Sequence, residues 1–276
     1  MGNYSYSVGY DSLAFSGGGV CGVGHAGVVK ALSELNYYKN MINFSGASVG
    51  SIVAALCAVR ATSHQIEQCM DFDFKSLLDD DYGCARDIYR LWYESGYYKG
   101  DVLYERIKES VVSVAGKDVT FADLKEYGTT LKIPVTKVWK THCEVVVYSN
   151  ETTPSVTLSH ACRLSCTYPS VFRSLESCSD GGLFCNYPIN LLPVGRRFGV
   201  KFEYETQTEE KPVTNLSEYL SSIICTMHSR IDSNVDPVNT ITVPVAVSST
   251  EFSINKEQRE EIFQKGYEMT IQFFKK

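Results

Sequence analysis

Over the first sixty residues, short apolar runs alternate with glycine-rich loops and stretches of helical periodicity. Leu13-Ala14-Phe15 is an apolar triplet of the length of a buried strand, Gly17-Gly18-Gly19-Val20-Cys21-Gly22 follows as a loop, and Val28-Val29-Lys30-Ala31-Leu32 takes up a helical pattern. The order then repeats. Met41-Ile42-Asn43-Phe44 reads as a strand, Gly46-Ala47-Ser48-Val49-Gly50 as a sharp turn, and Ser51-Ile52-Val53-Ala54-Ala55-Leu56 as a helix. Strand, loop, helix, strand, turn, helix is a βαβ unit opening a parallel sheet, with both loops at the carboxyl ends of the strands.

Further along, Asp101 is placed to cap a helix from about Val102 to Val112. Leu131 to Trp139 and Cys143 to Ser149 are β-rich runs separated by Lys140-Thr141-His142, which predicts a hairpin or adjacent pair. Ile241-Thr242-Val243-Pro244-Val245 predicts a late strand, and Asn255 to Phe274 an amphipathic closing helix. Between Ala61 and Asp101 the chain turns aromatic and acidic, with Tyr89, Trp92, Tyr93, Tyr97 and Tyr98 clustered. Two readings stand for these aromatics: a lid or lipid-facing element, or a helix face buried against the sheet. No repeat, low-complexity tract or linker interrupts the chain, which predicts one domain over residues 1–276, with core motifs in 13–190 and closing strands and a helix in 191–276.

A formal charge of -6 without a basic stripe argues against a nucleic-acid partner, and Asp79-Asp80-Asp81 reads as a solvated loop. No apolar h-region precedes Asp11, and no apolar run reaches the roughly 20 residues of a membrane span. The expectation is a cytoplasmic chain that at most visits a membrane surface. Ten cysteines without a C-x-x-C pair predict reduced thiols, with Cys57 and Cys225 packed in apolar runs. His160, Cys162 and Cys166 match no zinc spacing, so neither a metal nor a cofactor is expected.

Ser48 carries the chemistry. A serine between Gly46 and Gly50 at a strand-to-helix turn is a nucleophile elbow, whose strained backbone exposes Oγ and whose small flanking residues admit the neighbouring strand and helix. Attack on an ester creates an oxyanion that needs aligned donors, and the backbone N–H groups of Gly18, Gly19 and Val20 can converge on one at the mouth of a helix. Gly22-Val23-Gly24-His25-Ala26-Gly27 also fits a dinucleotide fingerprint, but nothing acidic lies between Glu34 and Glu67 and no G-K-[ST] follows. Two bases are available to Ser48. Asp180, before Gly181-Gly182, could act directly, or Ser48, Asp180 and His228 could form a triad in the chain order of α/β-hydrolases.

Taken together these blocks resemble the patatin-like phospholipase family. Ser16 to Gly22 with His25 and Gly27 is similar to its oxyanion block, Gly46 to Gly50 to its elbow, and Asp180-Gly181-Gly182-Leu183-Phe184-Cys185-Asn186-Tyr187-Pro188 to its D-G-[GA]-x-x-x-N-x-P block. Gly96 to Asp101, Thr120 to Leu124, and Ala161 to Phe172 extend the resemblance over almost the whole chain. It implies a three-layer α/β/α sandwich around a mostly parallel sheet, and calcium-independent hydrolysis of acyl esters in phospholipids or related lipids. It also implies a Ser48-Asp180 dyad without histidine, an oxyanion hole from Gly17, Gly18, Gly19 and Val20, and supporting positions at Gly22, Gly46, Val49, Gly50, Gly181 and Gly182. A lipid substrate, peripheral membrane contact and a protein activator are the partners it allows. Cys21 stands where the family usually carries Arg or Lys, so a positive charge beside the loop is expected to be lost, which keeps neutral acyl esters and lysolipids open. An acyltransferase or a non-catalytic lipid-binding protein on the same fold are the remaining alternatives.

Overall fold

The computed structural model describes residues 9–71, 73–78, 84–204, 212–214, 216–232 and 235–275. Asp79-Asp80-Asp81 falls outside them. In chain order the elements are β1 (Ser12–Phe15), α1 (Val23–Glu34), β2 (Asn43–Gly46), α2 (Val49–Ala58), α3 (Ser63–Met70), α4 (Cys84–Tyr93), β3 (Gly96–Tyr98) and α5 (Asp101–Ala115). They continue as α6 (Leu124–Tyr127), β4 (Thr130–Val138), β5 (Cys143–Ser149), α7 (Leu158–Ser165), β6 (Ser170–Phe172), β7 (Cys178–Ser179) and α8 (Gly182–Cys185). β8 (Arg197–Tyr204), α9 (Leu216–Asp232), β9 (Thr240–Val245) and α10 (Lys256–Lys275) close the chain.

β1 is buried along its whole length because it sits in the interior of the sheet, whose order is β5-β4-β2-β1-β8-β9. β1 pairs in parallel with β2 and β8, β2 with β4, and β8 with β9, while β5 and the short β7 pair antiparallel with β4. Strand alternation divides the two faces. Leu13 and Phe15 belong to the large core cluster with Val28, Leu32, Leu56 and Phe263, whereas Ala14 joins a second cluster with Tyr187, Ile189 and Leu192. The long helices α1, α2 and α10 pack on the first face, and the short helix Pro188–Leu191 lies on the second, against β1, β2 and β8. This is the three-layer α/β/α sandwich with a mostly parallel central sheet that the sequence predicts. The large cluster draws on residues before 190 and on Phe198, Ile241 and Ile262 beyond it.

The predicted hairpin is present, with Lys132 opposite Ser149 and Val138 opposite Cys143. Asn255 caps α10, accepting from the Gln258 N–H at 2.9 Å while the Gln258 side chain accepts from the Asn255 N–H at 2.9 Å. Two expectations are corrected. Gly100 rather than Asp101 occupies the cap of α5, because its φ of 74° turns the chain there, and Asp101 pairs with Arg173 at 3.0 Å. Tyr89, Trp92 and Tyr93 are exposed, so burial against the sheet fails for α4. β8 is an element the sequence reading passed over, although Phe198, Val200, Phe202 and Tyr204 alternate with Arg197, Gly199, Lys201 and Glu203 along it.

One buried cation ties the segment before α5 to α7. Arg163, 1% exposed, donates from Nε to the Gly100 carbonyl, from one terminal nitrogen to the Lys99 carbonyl and from the other to Thr167 Oγ1, each at 2.9 Å. Its planar fork suits three acceptors at once, and its carbon lies 5.6 Å from the centre of the Phe172 ring. Replacing it with alanine leaves buried carbonyls without donors and a cavity beside Phe172. Arg163→Ala is therefore expected to cost about 3 kcal/mol in urea unfolding, and Arg163→Lys to recover only part of it. Unchanged stability in both would show that the clamp is idle.

Candidate active site

Ser48 leaves β2 with φ 49° and ψ -130°, a conformation that costs a non-glycine residue roughly 1–3 kcal/mol and persists only where its surroundings impose it. A Cβ on Gly46 would collide with the Gly50 carbonyl, and one on Gly50 with the carbonyls of Phe15 and Ser16, so strand and helix approach too closely for any side chain. Hydrogen bonds complete the turn. The Ser48 N–H donates to Ser165 Oγ at 3.0 Å, the Ser165 hydroxyl donates to the Pro134 carbonyl at 2.8 Å, and the Ser51 hydroxyl donates to the Ser48 carbonyl at 2.6 Å. Ser165 is a positioning residue that sequence reasoning missed. Its one signal was membership of the Ala161–Phe172 block, which says nothing of where the hydroxyl points.

Asp180 arrives from the other side of the site, at the end of β7. Its N–H donates to the Thr167 carbonyl and its carbonyl accepts from Thr136 Oγ1, both at 2.8 Å. Its carboxylate has two partners. Oδ2 accepts from the Ser48 hydroxyl at 2.7 Å, and Oδ1 accepts from the Gly182 N–H at 2.7 Å. Only 3% of Asp180 is exposed, and this burial pushes its pKa up to about 7, against the lowering effect of the Ser48 and Gly182 hydrogen bonds. Gly181 fits because a Cβ there would strike the Pro134 carbonyl.

The glycine loop lies against Ser48. A Cβ on Gly17 would fall 2.5 Å from Asn186 Oδ1 and 3.2 Å from Ser48 Cβ. Its donors are fewer than expected. The Gly17 N–H donates to the Asn186 carbonyl at 3.0 Å and the Val20 N–H to the Ser249 carbonyl at 3.1 Å, so neither is directed at an oxyanion. Gly18 and Gly19 keep N–H groups that meet no protein acceptor among the described residues. Gly22 packs on the methyls of Val49, joining the loop to α2. Cys21 is fully buried, its thiol 3.8 Å from the Val247 carbonyl, and it does not line the cavity beside Ser48. Lys201, on β8, lines the cavity instead.

His228 does not stand between Ser48 and Asp180, as a triad requires, because the Ser48 hydroxyl is bonded directly to the carboxylate. Its ring lies by the Gly182 carbonyl, burial lowers its pKa to about 4, and its Nε2 has no partner among the described residues. His25 is wholly buried with Nε2 2.9 Å from the Ser16 carbonyl. The trio His160, Cys162 and Cys166 is divided: His160 meets Glu176 at 2.9 Å, Cys162 donates to the Ser51 carbonyl at 3.3 Å, and Cys166 lines the cavity.

Ser48 and Asp180 open onto a cavity of about 700 Å³. Val49, Ile52, Phe74, Leu77, Leu103 and Phe172 supply its apolar wall, and β8 and α9 contribute polar groups including Lys201, Ser222 and Thr226. A groove of this size and lining suits a chain-bearing molecule with a polar end.

An elbow serine bonded to a loop aspartate beside a glycine loop, on a mostly parallel sheet, defines a class, and comparison with known proteins gives it a family. The model of the patatin-like phospholipases matches residues 13–193, and the chain belongs to that family. It is 28% identical over 277 residues to the uncharacterized protein R571 of Acanthamoeba polyphaga mimivirus, covering 92% of this chain and 90% of the relative. It is 27% identical over 203 residues to the probable lipid hydrolase 463L of Invertebrate iridescent virus 6, covering 68% and 66%. VipD from Legionella pneumophila shares the fold, with a TM-score of 0.64 at 22% identity over 96% of this chain and 67% of that one.

The raised pKa of Asp180 has a consequence for stability. Between about pH 4 and pH 7 the folded chain holds a proton there that an unfolded aspartate has released, so stability falls as pH rises through that window and levels above it. Asp180→Asn removes the buried charge. Its melting temperature is expected to exceed that of the parent chain at pH 8, with the difference shrinking at pH 5. A difference that is constant with pH would contradict the shift.

Proposed function

We propose that the protein is a calcium-independent lipid acyl hydrolase, of phospholipase A or lysophospholipase type, working through Ser48 and Asp180. The 2.7 Å hydrogen bond from Ser48 Oγ to Asp180 Oδ2, at the wall of an apolar-lined cavity, carries this reading. A carboxylate with a pKa near 7 is a far better proton acceptor than one near 4 and is still about half ionised at neutral pH. As Ser48 Oγ attacks the ester carbonyl, its proton passes to Asp180 Oδ2. The oxyanion is met by the N–H groups of Gly18 and Gly19, each donor worth roughly 3 kcal/mol.

Collapse of the tetrahedral intermediate expels the alcohol, which takes up the proton held by Asp180 and leaves an acyl group on Ser48. Water then gives a proton to Asp180 and attacks the acyl-enzyme, releasing the fatty acid and restoring the Ser48 hydroxyl. Base and oxyanion donors are both supplied by the chain, so the reading assigns no step to calcium. The acyl chain fits the wall of Val49, Ile52, Phe74, Leu77, Leu103 and Phe172, and Lys201 offers a cation to a polar or phosphate-bearing end. The family description and the name of the iridescent virus relative support a lipid ester as substrate.

Fatty acid released from mixed-chain phosphatidylcholine vesicles in the presence of EDTA tests the proposal. Ser48→Ala and Asp180→Asn are expected to lower release by roughly 10³-fold or more, while His228→Asn keeps more than about a tenth of it. The length of the released chain names the ester position cleaved. Equal release by wild type and Ser48→Ala would refute the proposal, and a loss in His228→Asn matching that of Ser48→Ala would restore the triad.

A further inference from the structure

Helix α4 is inverted relative to a helix that meets water. Asp87 and Arg90 face inward, 2% and 4% exposed, paired at 3.4 Å, with Arg90 donating to the Tyr97 carbonyl at 2.6 Å. Ile88, Tyr89, Trp92 and Tyr93 face outward along one stripe, and Trp92 is 82% exposed. The Tyr89 and Tyr93 rings lie 4.5 Å apart, so the stripe is a contiguous aromatic surface. A surface helix ordinarily turns its apolar stripe to the core and its charges to solvent. Here the ion pair fixes the opposite rotation, and the outer face is matched to a medium less polar than water.

We propose that α4 is an interfacial anchor that docks the protein on an uncharged or zwitterionic lipid surface, a proposal that rests on a lipid being the substrate. The stripe carries no charge, and its indole N–H and phenol groups sit on apolar rings, the chemistry that settles at the headgroup level of a bilayer. The formal charge of -6 gives no attraction to anionic lipid, so apolar contact rather than electrostatics drives docking.

The segments that flank α4 in the chain lead to the cavity wall. Phe74 and Leu77, in the turn preceding α4 in the chain, line the cavity. After α4 the chain enters β3, which pairs with β6, and Phe172 of β6 lines the cavity as well. On α9, Tyr219, Ile223 and Met227 are exposed at four-residue spacing while Ser222 and Cys225 line the cavity, so a second apolar stripe borders it.

The test uses a chain carrying Ser48→Ala, which leaves vesicles intact, and Trp139→Phe, which makes Trp92 the single tryptophan of the two in the sequence. With phosphatidylcholine vesicles, Trp92 emission is expected to shift to the blue and to be quenched by lipids brominated near the glycerol end of the acyl chain. Adding phosphatidylserine is expected not to tighten binding. Combining Ile88→Ser, Tyr89→Ser and Tyr93→Ser should weaken vesicle partition about tenfold or more, with a melting temperature showing that the variant is folded.

Emission unmoved by lipid, or equal partition of the triple variant, would overturn the proposal. Emission already blue-shifted without lipid in a dimeric chain would give the face to a second copy. With Ser48 intact, turnover of a dissolved short-chain ester separates the two readings. Turnover without a lipid response removes the anchor alone, and a lipid response without turnover removes the hydrolase alone.

Discussion

A single hydrogen bond, 2.7 Å from Ser48 Oγ to Asp180 Oδ2, joins residues 132 positions apart in the chain. Everything around it serves to hold that distance. Ser48 is fixed by the close approach of β2 and α2, and Asp180 by β7 and by the Thr136 and Thr167 contacts. Ser165 belongs to both arrangements. Its hydroxyl accepts from the Ser48 N–H and its carbonyl accepts from the Gly181 N–H, so the elbow and the aspartate loop share one reference point. Sites of this kind are set by such supporting contacts as much as by the reacting groups.

Burying Asp180 is unfavourable for the fold and useful for the proposed chemistry. The desolvation that lifts its pKa to about 7 makes its ionised form a stronger base, and the same shift means that this group's contribution to stability falls as pH rises from about 4 to 7. The Ser48 backbone adds strain of its own. Both costs lie where the reaction is proposed to occur, and both are offset by the large core beneath the sheet. The inverted α4 follows a similar logic, since its buried Asp87–Arg90 pair turns an aromatic face outward that a freely placed helix would hide.

Much of the fold was legible because local patterns and tertiary packing agree. The βαβ opening, the hairpin of β4 and β5, and α10 with its Asn255 cap could be read from apolar spacing and turn chemistry. The alternation of Phe198, Val200, Phe202 and Tyr204 with polar positions marks β8 as a strand, but its place between β1 and β9 was not legible, because it depends on partners distant in the chain. Among the candidate site residues, Ser48 and the glycines were readable because only they suit that turn. The engagement of Val20 with Ser249 and the burial of Cys21 against Val247 were not readable, since both depend on a segment more than 200 residues further along the chain.

Direct proton transfer from Ser48 to Asp180 is tested most directly by the pH dependence of covalent labelling. A fluorophosphonate reacts with an activated serine as Oγ attacks phosphorus, fluoride leaves and the base takes the hydroxyl proton, so the rate follows the ionised fraction of that base. The labelling rate is expected to rise tenfold per pH unit below about pH 7, to level above it, and to keep this profile in His228→Asn. A profile that disappears in His228→Asn, or that levels near pH 4, would show that Asp180 is not the base.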